Sequence, residues 1–182
     1  MTTLVSVDQT AGELTLTTGR AGLVSAVGHD LTLLVGVWSA EATVEEGGAV
    51  TALRLVAQLR SLSVLRGEGG LKPLSDKDRT SIIDNAMKTL KAKLHPELVF
   101  EARDLQLRDG EADVVGTVEL AGRTGSQVVQ VSIVRDSGNV HVLGRGDLLQ
   151  SAFGITPYSA MLGQLRVRDL VQLSVDLTVA AP

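Results

Sequence analysis

The chain has no cysteine, one tryptophan, one tyrosine and two phenylalanines, and no long unbroken apolar run. Without cysteine there is no disulfide framework, no thiolate nucleophile and no cysteine-based zinc site. So few aromatic rings leave little for bases to stack on, and a formal net charge of −4 with a pI near 5.4 lacks the basic footprint of nucleic-acid binding. No segment approaches the ~18 apolar residues of a membrane helix, and the opening MTTLVSVDQT has neither the basic region nor the apolar core of a secretory signal. The expectation is a soluble, cytoplasmic protein with no integral membrane segment and no nucleic-acid partner.

What is abundant is aliphatic. Hydrophobic residues make up 44% of the chain and aromatics only 2%, so the interior must be built from Leu, Val, Ala and Ile. A length of 182 residues is expected as one domain, 1–182, large enough to remove roughly 70% of its unfolded surface from water. The 19 glycines and four prolines are spread along the chain, as turns and strand bends require, and are not gathered into a linker.

The stretch Thr32 to Glu45 alternates with period two, which is a strand signature. One set, Leu34, Gly36, Trp38, Ala40, Ala42 and Val44, is small or apolar throughout, whereas the other, from Leu33, Val35 and Val37 to Glu45, turns polar halfway. A strand this long must curve, and Gly36 is the natural bend. Similar alternation over Gly12–Thr18, Val50–Ser61, Leu98–Arg103, Ala112–Leu120, Gln127–Arg135, Asn139–Leu149 and Leu170–Val179 brings the count to eight strands.

A glycine-rich loop from Leu65 leads into the one helical pattern, an insertion near residues 75–95. Ile82, Ile83, Ala86, Met87, Leu90 and Leu94 form one apolar stripe. Ser75 and Asp78 have capping-box spacing, Lys88, Lys91 and Lys93 suit the negative end of the dipole, and Pro96 ends the run. The helix is expected to lie against the strands or across one mouth of a barrel.

Eight antiparallel strands with one apolar face each pack either as two sheets or as a closed barrel. Glycines on the inward sets, at Gly36, Gly116, Gly144 and Gly146, favour closure and leave internal space. The fold expected is therefore all-β with one inserted helix, an eight-stranded antiparallel barrel that is closed or nearly so, with two packed sheets as the alternative. Its candidate lining is Leu34, Gly36, Trp38 and Ala40 on the long strand, with Leu55, Phe100, Val114, Gly116, Val118, Val131, Val142, Gly144 and Leu173 on the others. Phe153, Ile155, Tyr158 and Met161, before the last strand, either join that lining or seal an end.

Catalytic and metal motifs find little support. His29, His95 and His141 lack the spacing that sets two imidazoles on one metal, and His141 has the polar parity of its strand. No serine sits in a Gly-x-Ser-x-Gly elbow, and the Arg66–Gly70 segment lacks the Lys-Ser/Thr ending of a phosphate-binding loop. His29 beside Asp30 reads most simply as a structural polar contact near a barrel rim. Arg66 and Lys72, placed in the loop before the helix, are candidates with His29 for head-group contacts at a barrel mouth, against the plainer reading of an exposed charged loop.

Several stretches resemble the YceI-like family of lipocalin-type barrels: Gly28-His29-Asp30-Leu31 before the long strand, His95-Pro96 followed by Val99 to Ala102, Val114 to Thr124, and Ser151 to Asp169. They keep the family's order through nearly the whole chain. The chain departs from the family at Ala152, where Asp is common, and at Ala121, where His is common. The resemblance implies an up-and-down barrel of lipocalin-like shape whose pocket holds a polyisoprenoid, an isoprenoid quinone or a similar lipid, for sequestration or transport, with no established chemistry. By parity the inward sets carry almost no polar groups, so no enzymatic activity and no cofactor beyond such a bound molecule is expected. The alternative is a solidly packed interaction module that forms a homodimer through Leu33, Val35, Val37 and the region 150–165.

Overall fold

In the computed structural model, which describes residues 1–180, the chain forms one antiparallel sheet of twelve strand segments and a single α-helix. The strands are β1 (Thr2–Asp8), β2 (Gly12–Ala21), β3 (Asp30–Val35), β4 (Trp38–Glu45), β5 (Val50–Gln58), β6 (Leu62–Glu68), β7 (Glu97–Ala102), β8 (Gly110–Leu120), β9 (Arg123–Asp136), β10 (Asn139–Leu149), the two-residue β11 (Ser159–Ala160) and β12 (Leu165–Ala180). The hydrogen-bonded order is β1-β4-β5-β7-β8-β9-β10-β12-β2-β3-β6, with β11 attached to β12.

Twelve segments replace the eight expected because three long stretches break at sharp bends, which adds β1 and β6 and divides 32–45 into β3 and β4, and because the short β11 precedes β12. β1 continues into β2, β3 into β4 and β5 into β6, and the two halves of each stand at opposite ends of the strand order. The same three stretches thus link both ends of the ladder, which curls the sheet round on itself in barrel form. Between neighbouring stretches the chain simply runs up and down.

The bends stay hydrogen-bonded. Gly36 N donates to Ser61 O at 3.1 Å, Gln58 N donates to Val37 O at 3.0 Å, and Val37 N donates to the Ser61 hydroxyl at 2.9 Å. A Cβ on Gly36 would lie 3.1 Å from the Ser61 carbonyl, so the expected bend residue permits this close approach.

The bend also shifts the side-chain parity. Leu33 and Val35 are buried, at 3% and 5% exposure, and the next buried residue is Trp38, three positions on. The inward set is therefore odd-numbered in β3 and even-numbered in β4. Leu34, expected inside, has the outward parity of β3 and is half-buried. Leu33 and Val35, expected on a dimer-forming exterior, belong to the core.

β6 was expected as loop, and its glycine explains why. Gly67 accommodates Leu74, whose Cδ1 would be 2.4 Å from an added Cβ, so the glycine marks close packing. Arg66 accordingly lies on a strand paired with β3 and not in the loop before the helix.

Helix α1 (Asp76–Thr89) starts where its capping residues put it. Asp78 N donates to Ser75 Oγ at 3.2 Å, while Ser75 Oγ and N donate to Asp78 Oδ2 at 2.6 and 2.9 Å. These bonds hold the Asp78 carboxyl below the usual carboxylate range, so their contribution is present above the unfolded pKa and is lost as pH falls through the folded one. The helix stops short of the expected residue 95: Lys91 takes a left-handed φ of 53°, and its carbonyl receives Leu94 N and His95 N in a turn. Ser75→Ala should cost about 1 kcal/mol, read as a fall in Tm of about 2–4 °C.

Two apolar clusters fill the curl. The larger includes Leu33, Val35, Trp38, Leu59, Leu62, Leu120, Phe153 and Ile155. The second gathers Val50, Ala102, Leu107, Val114, Val131, Ile133 and Val140. Ile82, Ile83, Met87 and Leu90 dock the helix on the larger cluster.

Candidate ligand-binding cavity

The curl holds a partly open cavity of about 300 Å³. The helix covers it at one end through Ile82, Asn85, Ala86, Thr89 and Leu90. Away from the helix it reaches Leu53, Phe100, Val131 and Val142, which pack against or belong to the second cluster. Its walls are aliphatic because inward positions of the strands carry Leu and Val, and they are roomy because Gly144 and Gly146 on β10 present no side chain.

Of the expected lining, Ala40, Leu55, Phe100, Val118, Val131, Val142, Gly144 and Leu173 border the cavity, and Tyr158 joins them. Other expected positions serve elsewhere. Trp38, Val114, Phe153 and Ile155 are each at most 2% exposed and do not border it; they pack the two clusters. Gly116 adds no open space, since the Phe100 ring sits within 2.6 Å of where its Cβ would be. Gly36 is taken up by the bend. Met161, at 58% exposure, faces solvent in a left-handed conformation.

The expected head-group residues also lie away from the cavity walls. His29 Nε2 is hydrogen-bonded to Lys72 O at 2.8 Å, and its ring lies against Gly70. It therefore ties two loops together, as a structural polar contact does. Arg66 Nε lies 3.4 Å from Thr32 Oγ1 and 3.8 Å from Glu68 Oε1, on the exposed side of β6. His141 pairs with Asp176 at 2.7 Å on the outer surface, as its parity predicts. Among the described residues no group of three or more His, Asp and Glu side chains is placed to hold a metal ion.

The helix stripe, Leu31, Leu33 and Val35 were not expected to border a cavity. The helix covers one end of the cavity, one of its two expected placements, although its residues are not among the expected lining; Leu31, Leu33 and Val35 border the cavity because the inward parity of β3 is one residue off the expected one. Two buried polar side chains were also missed, Gln127 on β9 and Gln150 after β10. Gln127 shares parity with Val129 and Val131, so alternation alone places it inside. Gln150 Nε2 donates to Arg168 O at 2.9 Å, and Ser151 N donates to Asp169 Oδ1 at 2.7 Å, which pins the segment after β10 to the start of β12.

Among the described residues no charged group faces the cavity without a partner. Arg54, at its edge, donates from Nε to Glu101 Oε1 at 2.9 Å. An interior of this kind removes methylenes from water and offers a few neutral hydrogen-bonding groups.

No protein-family model matches the chain, and no curated protein matches it by sequence. Solved structures do. BcnA of Burkholderia cenocepacia superposes with a TM-score of 0.68 at 15% identity, covering 93% of this chain and 96% of that one. The YceI protein of Campylobacter jejuni superposes with a TM-score of 0.57 at 12% identity, and a cysteine variant of it with 0.60 at 14%, each covering 80% of this chain and 81% of the other. At such low identity the likeness speaks for architecture alone: the chain has the fold of the YceI proteins.

Proposed function

We propose that the chain binds a long-chain hydrophobic molecule in this cavity, a polyisoprenoid, an isoprenoid quinone or a similar lipid, and sequesters or carries it without acting on it chemically. The observation that carries this reading is the aliphatic cavity of about 300 Å³. A void of ~150 Å³ lined by apolar side chains already suffices to hold benzene, and a single water needs only ~10–15 Å³, so this space is large for a packing defect. The cavity weighs against a solidly packed assembly module. So does the inward placement of Leu33 and Val35, which leaves only Val37 of the proposed exterior trio exposed.

Burial of an alkyl chain is worth about 0.8 kcal/mol per methylene before ordering costs. Across alkan-2-ols of about six to about twelve carbons, affinity should therefore rise by about two- to fourfold per methylene until the cavity is full. Displacement of a bound fluorescent probe measures this. Affinity independent of chain length would contradict the proposal.

A further inference from the structure

Gln127 stands opposite Gly116 of β8 and beside Gly146 of β10, and the missing side chain of Gly146 gives it room. Its Nε2 donates to Val128 O at 2.8 Å and to Asp147 O at 2.9 Å. Carbonyl oxygens only accept, so the amide nitrogen must be the atom facing them, and both of its hydrogens are used. The amide oxygen is the free end. Among the described residues the one fully enclosed side-chain N or O atom without a partner is Trp38 Nε1. Among the described residues Gln127 Oε1 receives no donor and yet is not walled in, so on a buried side chain that borders the cavity it opens onto that space. It is an acceptor in apolar surroundings, where an unmatched polar group is costly and a matched one selective.

We propose that Gln127 Oε1 is the head-group subsite of the cavity and accepts a hydrogen bond from the O–H of a neutral lipid, a long-chain alcohol or phenol. This rests on the ligand-binding reading above and narrows it: a hydroxyl finds a partner at Gln127, whereas an acceptor-only head, such as the carbonyl of an oxidised quinone, finds none there. Gln150 does not discriminate in this way, because after its bond to Arg168 O it still has one amide hydrogen and its oxygen to offer. An anionic head is disfavoured, since it would meet the Gln127 oxygen and no unpaired cation.

The test compares dodecan-2-ol with dodecan-2-one, equal in length and differing only in the donor. Each competes against N-phenyl-1-naphthylamine bound to the full chain, in the wild type and in Gln127→Met. In the wild type the alcohol should compete roughly three- to tenfold more strongly than the ketone, the worth of one hydrogen bond, and in Gln127→Met the two should come within about twofold. A ketone that competes as well as the alcohol in the wild type overturns the subsite while leaving the cavity reading intact, and this comparison needs no variant to fold. A preference for alcohol that survives in a folded Gln127→Met also overturns it. If neither compound nor the probe binds the wild type, the cavity reading fails and the subsite with it.

Discussion

Gly146→Leu should leave the protein folded and reduce uptake of a lipophilic probe by roughly fivefold to a hundredfold. An added Cβ at Gly146 would find its nearest neighbours, Gln127 Nε2, Val128 O and Val129 Cγ2, at 3.5 Å, which is ordinary van der Waals contact. The first carbon therefore costs little. The rest of the leucine projects into space that a ligand would occupy, and forcing extra methylenes past one another in a filled interior costs about 1–3 kcal/mol, or roughly fivefold to a hundredfold in affinity. Gly144 is the poorer site for this experiment, because its Cβ would come within 2.8 Å of Val175 Cγ1 and mix strain with occlusion. Unchanged uptake by folded Gly146→Leu would mean that ligand, if bound, lies elsewhere.

Gly116→Ala should do the opposite and strike stability. Its Cβ would sit 2.5 Å from the Glu101 carbonyl oxygen and 2.6 Å from the Phe100 ring. The carbonyl belongs to β7, which pairs with β8 through Phe100 opposite Val118 and Glu101 opposite Thr117, so relief requires the two strands to part. An aromatic ring laid over a strand glycine supplies the packing that the glycine lacks, and a methyl group displaces it. The expected cost is about 2–4 kcal/mol, a fall in Tm on the order of 5–15 °C, measured by thermal unfolding. Gly146→Ala provides the control and should shift Tm by no more than a degree or two. Equal behaviour of the two variants would show that the close approach of Phe100 to Gly116 is not as described.

The contrast between these two glycines shows how far alternation carries a sequence reading. Parity correctly puts both Gly116 and Gly146 on inward faces, but whether an inward glycine opens space or is covered by a ring from the next strand depends on register across the ladder, which parity does not contain. The same limit explains Leu34. Within β3 and within β4 the period of two is intact, and the three-residue step from Val35 to Trp38 reverses the faces without disturbing the apolar character of either set. Both faces are apolar there, so a slip of one residue leaves no trace in hydropathy.

Local chemistry was more legible where side chains bond to nearby backbone. Ser75 and Asp78 announce the start of α1 and form the reciprocal cap their spacing implies. The other end was less so, because the apolar stripe continues to Leu94 although Lys91 has already turned left-handed. β6 was hidden by Gly67, a residue kept for contact with Leu74 that reads in isolation as a strand breaker. β1 was hidden for a different reason: its sequence TTLVSVD has exposed Thr and Leu at one end and lacks a continuous apolar face. Of the cavity itself, the aliphatic walls followed from composition and alternation, and a helix across one mouth was one of its two expected placements, while the buried amide of Gln127 depends on how separate elements meet.

Native mass spectrometry of the full chain, purified without detergent or organic solvent and then supplied with dodecan-2-ol, tests most directly whether the sheet encloses usable space. The account predicts a saturable one-to-one adduct in the wild type that is lost in Gly146→Leu. A wild-type protein that remains at its bare mass at every alcohol concentration, or takes up alcohol without saturation and equally in Gly146→Leu, would contradict it.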